Sequence, residues 1–228
     1  MGPHRVVLSP HLDDAVLSCW HLLDGAKVVS VFAGVPDPGT GGWWDSLTGN
    51  GDSAARMLER FDEDDAALGL AGAEAVRLDL LDEQYRRNGA RPPVTETIVD
   101  HVRDADEVYA PLGVFLGDDH RLVRQAALEL RADTILYADH PHAGIWGLPG
   151  WVTGEEERGG GLDVGAAWRQ RMAEAGLDPD ALRPSVQRLD DEAFESKRAA
   201  VESYRTQVPA LEREAPLEQL RWEVTWKR

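Results

Sequence analysis

Disulfide chemistry is excluded at the outset. The chain carries one cysteine, Cys19, and a lone thiol fits a reducing compartment. Cys19 falls inside an apolar helical pattern, which marks a buried thiol rather than a nucleophile. Positive charge is scarce as well, with 24 Lys and Arg against 41 Asp and Glu and a formal charge of −17. A nucleic-acid surface needs clustered basic residues, so nucleic acid is excluded as a partner, and anionic membrane surfaces with it. No apolar run approaches the ~20 residues that cross a bilayer, and no basic-then-apolar leader is recognisable. A cytoplasmic location is the expectation. The first strand-to-helix turn also lacks Gly-x-Gly-x-x-Gly and carries side chains that would repel phosphate. Dinucleotide binding is thereby removed. Neither an internal repeat nor a low-complexity tract is present.

What remains is an ordinary globular composition, 43% hydrophobic and 29% charged. The length predicts one domain over residues 1–228, with a core over about 5–145 and a C-terminal extension over about 146–228. Short apolar, β-branched runs at residues 5–8, 27–32, 75–79, 107–110 and 134–138 read as strands. Helical patterns occupy residues 15–23, 53–70, 93–102, 121–130, 164–175 and 191–206, the second of them acidic on one side. Such alternation predicts an α/β fold, a Rossmann-like, mostly parallel doubly wound sheet with helices on both faces. Trp222, Val224 and Trp226 alternate with polar residues, so the helical extension is expected to end in a strand. Residues 33–51, rich in glycine and bearing Trp43-Trp44, form a long loop leaving the second strand, and residues 154–161 read as a flexible insert. The tryptophan loop leaves the sheet on the edge where it could overhang a site and offer a stacking surface.

The chain is organised around Pro10-His11-Leu12-Asp13-Asp14, where the first strand hands over to the first helix. Ligand sites in open α/β sheets lie at that carboxyl edge. Ser9 or an aspartate could cap the helix, but capping leaves His11 beside two carboxylates without a purpose. Histidines also stand at the exits of the fourth strand (His120) and the fifth (His140, His142). A doubly wound sheet brings these exits together. His11 and Asp14, three apart at a helix start, face one way, and His120 completes two nitrogens and one oxygen. Two histidines and a carboxylate with an open position form a known catalytic zinc arrangement. Iron or another divalent metal suits the same donors. Asp13 is left beside the ligands, placed to take a proton from a metal-activated water. His4, His21 and His101 have no chemical partner in sequence and read as surface or packing residues.

Pro10-His11-Leu12-Asp13-Asp14 resembles the Pro-His-x-Asp-Asp signature of the PIG-L/LmbE-like N-acetylglucosaminyl deacetylases. Its Leu form, followed by Ala-Val-Leu-Ser, is similar to the branch that includes glycopeptide-antibiotic sugar deacetylases. Further matches run in order. Arg60-x-x-Glu63-Asp64, Leu78-Asp79-Leu80 through Tyr85-Arg86, Asp119-His120-Arg121-x-Val123-Arg124 and Lys197…Tyr204-x-x-Gln207 each resemble a stretch of the family. The resemblance implies a zinc-dependent hydrolase that takes acetyl from an N-acetylated amino sugar or glycoconjugate. It makes His11, Asp14 and His120 metal ligands and Asp13 the general base. Asp119 is expected to hold His120 or to cap its helix. Arg60, Asp64 and Arg86 are expected in a buried ion pair beneath the site or at the substrate.

One position departs from the family. Its second motif is usually His-x-Asp-His, and the first of those histidines is linked to oxyanion stabilisation. Here that position is Gly117. His142, or failing it His140, is the candidate to supply the missing donor from the neighbouring strand exit. Two alternatives stand beside the deacetylase reading: a catalytically silent sugar-binding homologue, and an amidase of the same fold acting on another amide. A homo-oligomer is left open.

Overall fold

Val6, Val7 and Leu8 expose none of their surface, and successive side chains leave a strand by opposite faces. Strand β1 (Arg5–Ser9) therefore needs cover on both faces, and it lies inside the sheet. It pairs in parallel with β2 (Lys27–Ser30) on one side and with β4 (Glu107–Pro111) on the other. The computed structural model describes residues 2–49, 51–86, 91–115, 117–155 and 161–228. Among these, β3 (Glu74–Arg77), β5 (Ile135–Tyr137), β6 (Arg183–Arg188) and β7 (Trp222–Lys227) complete a sheet of order β3-β2-β1-β4-β5-β7-β6. The first five strands are parallel, and β7 and β6 add an antiparallel edge.

The period of two decides which helices cover which face. Val7, Val28, Ile135 and Tyr137 point to one side. There α1 (Asp14–Cys19), α3 (Ser53–Ala71) and α8 (Asp191–Val201) pack against one another. A very short α2 (Trp43–Leu47) precedes α3. Val6, Leu8, Val29 and Leu136 point to the other side. That face is covered by α4 (Val94–Val102), α5 (Asp118–Leu130) and, beyond the short α6 (Gly150–Thr153), by α7 (Val164–Glu174). Each fully buried Val or Leu contributes about 1.5–3 kcal/mol, so the two cores outweigh any single polar contact. A final helix, α9 (Val208–Glu214), follows α8. Among the described residues no helix is long and apolar enough to cross a membrane.

The doubly wound parallel sheet expected from the sequence is present, with three differences. Strand β6 lies in a stretch that the pattern left blank, and all six of its residues are exposed. The helix expected to run through residue 206 ends at Val201. The loop over residues 33–51 contains α2, and most of the insert at 154–161 lies outside the described residues. Parallel neighbours β2 and β4 leave β1 in opposite directions along the sheet. This is the switch point where such folds open a crevice.

Candidate active site

Ser9 ends β1 and carries out the capping. Its hydroxyl oxygen accepts from the Ala15 N–H at 3.0 Å while its proton goes to the His11 carbonyl. Asp13 holds the N-cap position of α1 yet makes no side-chain capping bond. Its carboxylate is left for Arg60, whose Nη2 lies 3.4 Å from Asp13 Oδ1. Arg60 and Asp13 are both buried.

Asp14 gathers the other groups. Its Oδ2 accepts from the His11 backbone N–H at 2.8 Å, and the same oxygen stands 3.3 Å from His11 Nδ1 and 3.5 Å from His120 Nε2. Ligand atoms held about 2.0–2.1 Å from a tetrahedral metal stand about 3.4 Å from one another. The spacing of these three donors thus suits a divalent cation at their centre. A second group, His11 with Asp82 and Asp119, is also close enough to hold an ion. There, however, Asp119 is already engaged by Arg86 at 2.6 Å and by the Glu83 N–H at 2.9 Å.

Each imidazole turns its other nitrogen to a carboxylate, which accepts only and so fixes the tautomer. His120 Nδ1 donates to Asp139 Oδ1 at 2.7 Å, leaving the Nε2 lone pair for the centre. Asp139 is itself held, its Oδ2 accepting from the Gly113 N–H at 2.8 Å. Arg124, buried in α5, donates to the Leu112 and Gly113 carbonyls and so fixes this turn. Gly113 has φ +58°, and a Cβ there would stand 2.7 Å from the His120 carbonyl oxygen. His11 Nε2 faces Asp119 Oδ2 at 3.3 Å.

Two expectations are corrected by these contacts. Asp119 supports His11 and not His120, because adjacent helical residues point about 100° apart and cannot share a target. It does not cap α5 either: Gly117 is the N-cap, and the N–H of the first helical residue, Asp118, donates to Glu83 Oε2 at 2.8 Å. Arg60, Asp64 and Arg86 each enter an ion pair, with three different partners. Arg60 meets Asp13, whereas Asp64 binds Arg77 at 2.7 Å and lies 3.1 Å from the Tyr204 hydroxyl. Arg86 pairs with Asp119, with its guanidinium 5.1 Å from the centre of the Phe32 ring. Asp139, the partner of His120, is the site residue that sequence reasoning missed. Its signal was its place at the exit of the fifth strand, beside two histidines already under scrutiny.

The electrostatics follow from burial and from opposed charges. Burial pulls His11 down, but Asp82, Asp119 and Asp14 outweigh it and the imidazole is raised well above its ordinary value. His120 is raised in the same way, by Asp14 and Asp139 against burial. Asp14 shows the reverse: burial pushes it up, yet His120 and His11 hold it far below the usual carboxylate range. The carboxylates that favour protons on these rings would equally favour a cation between them. Asp13 differs from its neighbour. Burial raises it more than Arg60 lowers it, with Asp14 adding to the rise.

These groups open onto a cavity of about 230 Å³, lined by the polar His11, Asp13, Asp14, Arg60 and His120 and by the apolar Trp43, Trp44, Leu17 and Leu211. His142 lines it too, its ring edge-on to His120 with centroids 5.5 Å apart. His140 does not. It is fully buried and turns Nε2 to the Trp222 carbonyl at 2.9 Å, and burial together with Lys197 takes it down to about 4. The expectation of a site role for His140 is corrected accordingly: its ring holds β7. Gly117 borders the cavity with φ +79°, a conformation that a histidine would adopt only under strain.

No family model and no curated protein matches the sequence. Solved structures do match the fold. The A40926 pseudoaglycone deacetylase superposes with a TM-score of 0.71 at 25% identity, over 99% of this chain and 96% of that one. Teicoplanin deacetylase in a zinc-inhibited form gives 0.71 at 22% identity, over 98% and 97%. The N,N'-diacetylchitobiose deacetylase from Pyrococcus horikoshii gives 0.53 at 16% identity, over 97% and 83%. The fold is common to all three along nearly the whole of this chain. This chain thus has the fold of these sugar-conjugate deacetylases, and it gathers the motifs that resemble the PIG-L/LmbE-like family at one edge of its sheet.

Proposed function

We propose that the protein is a zinc-dependent hydrolase that removes acetyl from the nitrogen of an N-acetylated amino sugar or glycoconjugate. The observation that carries this reading is the single Asp14 oxygen standing 3.3 Å from His11 Nδ1 and 3.5 Å from His120 Nε2, with Asp13 uncommitted to capping beside them. Deacetylases of teicoplanin, of A40926 pseudoaglycone and of N,N'-diacetylchitobiose support the substrate class. We read residues 1–228 as one domain working in a reducing, cytoplasmic setting.

His11, Asp14 and His120 would hold the metal. When bound, it polarises the amide carbonyl and makes the attacking water more acidic. Asp13 takes a proton from that water as its oxygen adds to the carbonyl carbon. The raised basicity of this buried carboxylate suits the task. Asp13 then returns the proton to the nitrogen as the C–N bond breaks, giving acetate and a free amine. Arg60 keeps Asp13 aimed into the cavity. His142, on the cavity wall beside His120, donates an N–H to the oxyanion in place of the histidine absent at Gly117. A silent sugar-binding role is disfavoured, because such a module has no use for a buried base next to a metal set.

Acetate and amine release from a panel of N-acetyl sugars, before and after chelation, tests the reading. Asp13→Ala is expected to lower turnover by roughly 10²–10⁴-fold at unchanged metal content. Loss of metal with unchanged residual activity would reverse the roles given to Asp13 and Asp14.

A further inference from the structure

Glu63 and Gln207 stand in the ordered motifs, expose 2% and 0% of their surface, and line no part of the cavity. Through Thr206 they form a hydrogen-bonded chain that ends on Trp44. The Trp44 Nε1–H donates to Gln207 Oε1 at 2.6 Å, Gln207 Nε2–H to Thr206 Oγ1 at 2.7 Å, and the Thr206 hydroxyl to Glu63 Oε2 at 2.8 Å. The Thr206 N–H adds a second bond to Glu63, at 3.0 Å. An indole N–H only donates and a carboxylate only accepts, so the two ends dictate the direction of every bond between them. Gln207 has one orientation, with its oxygen to the indole and its amide nitrogen to Thr206. Bonds aligned in this way strengthen one another, and a missing link leaves a buried donor without its acceptor.

The chain immobilises one ring of a loop that otherwise looks loose. The Trp44 backbone N–H is held by Gln84 Oε1 at 3.2 Å, and the adjacent Asp45 receives the Tyr85 hydroxyl at 2.6 Å. Its neighbour Trp43 is 59% exposed and meets Trp44 edge-on. Trp44 therefore borders the cavity that Asp13 and His11 also line, as a fixed indole anchored by its N–H edge. A cavity of about 230 Å³ is smaller than the ~300–1,000 Å³ typical of sites that enclose a drug-sized ligand. A volume of this size limits the enclosed part of a ligand to about one sugar ring with its acyl group.

We infer that Trp44 is the stacking platform for the sugar ring whose N-acyl group reaches Asp13, and that Gln207 is its positioning residue. This assignment rests on the deacetylase reading of the same cavity. Gln207 touches no substrate. It acts by holding the indole.

The test uses the full-length, zinc-loaded protein and methyl N-acetyl-β-glucosaminide as probe. The indole N–H resonance that disappears in Trp44→Phe identifies Trp44. In the parent protein it is expected to exchange slowly and to shift on titration with the probe, whereas in Gln207→Leu it exchanges rapidly. Gln207→Leu raises KM roughly tenfold with kcat within about twofold, and adds little further in the Trp44→Phe background. Should Gln207→Leu fail to fold, Thr206→Val breaks the same chain and raises KM by roughly two- to threefold. Effects of Gln207→Leu and Trp44→Phe that multiply, or a fall in kcat at constant KM, would overturn the assignment. Movement of the Trp44 resonance without acetate release would uphold the platform and remove the hydrolase reading. Acetate release with an unmoved Trp44 resonance would remove the platform alone.

Discussion

Asp139→Asn is the most discriminating single change, because both carboxylate oxygens of Asp139 accept from fixed donors. Oδ1 takes the His120 Nδ1–H at 2.7 Å and Oδ2 the Gly113 N–H at 2.8 Å, with the residue 2% exposed. An amide has the same shape but can accept at one end only. If its oxygen faces His120, the Gly113 N–H meets an NH₂ group and is left unpaired, at about 1–3 kcal/mol. If its nitrogen faces His120, the imidazole takes the opposite tautomer and points an N–H at the metal position. Either outcome weakens the metal centre while the packing is kept. A charge-assisted hydrogen bond contributes about 1.5–3 kcal/mol. Loss of a carboxylate behind a metal-binding histidine lowers metal affinity by roughly 10–100-fold. We expect a fall in zinc affinity within that span, measured by competition with a chromophoric chelator, and turnover that recovers when zinc is raised. Affinity within about twofold of the parent protein would refute the support assigned to Asp139.

Three further outcomes can be checked. Gly113→Ala forces a Cβ to 2.7 Å from the His120 carbonyl at φ +58°, so it should destabilise the fold by more than about 1 kcal/mol in urea unfolding and weaken metal binding. His142→Phe preserves the ring but removes the N–H, and it should lower kcat by roughly 10²–10³-fold with metal content intact; unchanged kcat would show that the oxyanion has another donor. Glu223 lies buried against Lys197 at 2.6 Å; burial pushes its carboxyl up, but Lys197 and His21 bring it down to about 2 from the ordinary 4.5. A carboxyl lowered on folding stabilises above its unfolded value and stops doing so as pH falls through its folded one. Stability should thus drop between pH 4.5 and 2 by on the order of 3 kcal/mol. In Glu223→Gln this contribution should vanish from a pH series of urea midpoints, leaving the fall carried by the other lowered carboxyls, Asp14 and Asp119, on a baseline lowered by about 3–5 kcal/mol because Lys197 stays buried without its partner.

His11, Asp14 and His120 were legible because strand exits in a doubly wound sheet converge, so sequence distance does not matter. Other features had no such rule. Asp139 is a single carboxylate at a strand end, and nothing periodic distinguishes it from a turn residue. In α3 the buried positions Ser53, Arg56, Met57, Arg60, Glu63, Asp64, Ala67, Leu68 and Ala71 follow the helical period, but four of them carry charge. That charge disguised the inward face as an acidic surface, and it concealed the Glu63 and Asp64 contacts. Strand β6 buries none of its residues, so Arg-Pro-Ser-Val-Gln-Arg has no alternation to read. The tryptophan loop hid its order for another reason. Its anchors, Gln84 and Gln207, lie 40 and 163 residues from Trp44.

Glu223 gives the fold a temporal order. From β7 its carboxylate accepts the Trp20 and His21 N–H groups, 203 and 202 residues away, at the turn that ends α1. The helix that begins at Asp14 is thereby finished by a residue synthesised some 200 residues later. Contacts of such separation must wait for the intervening chain, and folds rich in them form slowly. The donors around Asp14 can come together as soon as β4 and α5 exist, whereas the far end of α1 is fixed only when β7 docks. A ribosome-stalled chain stopped before residue 222 should therefore hold its metal loosely and tighten its grip on release.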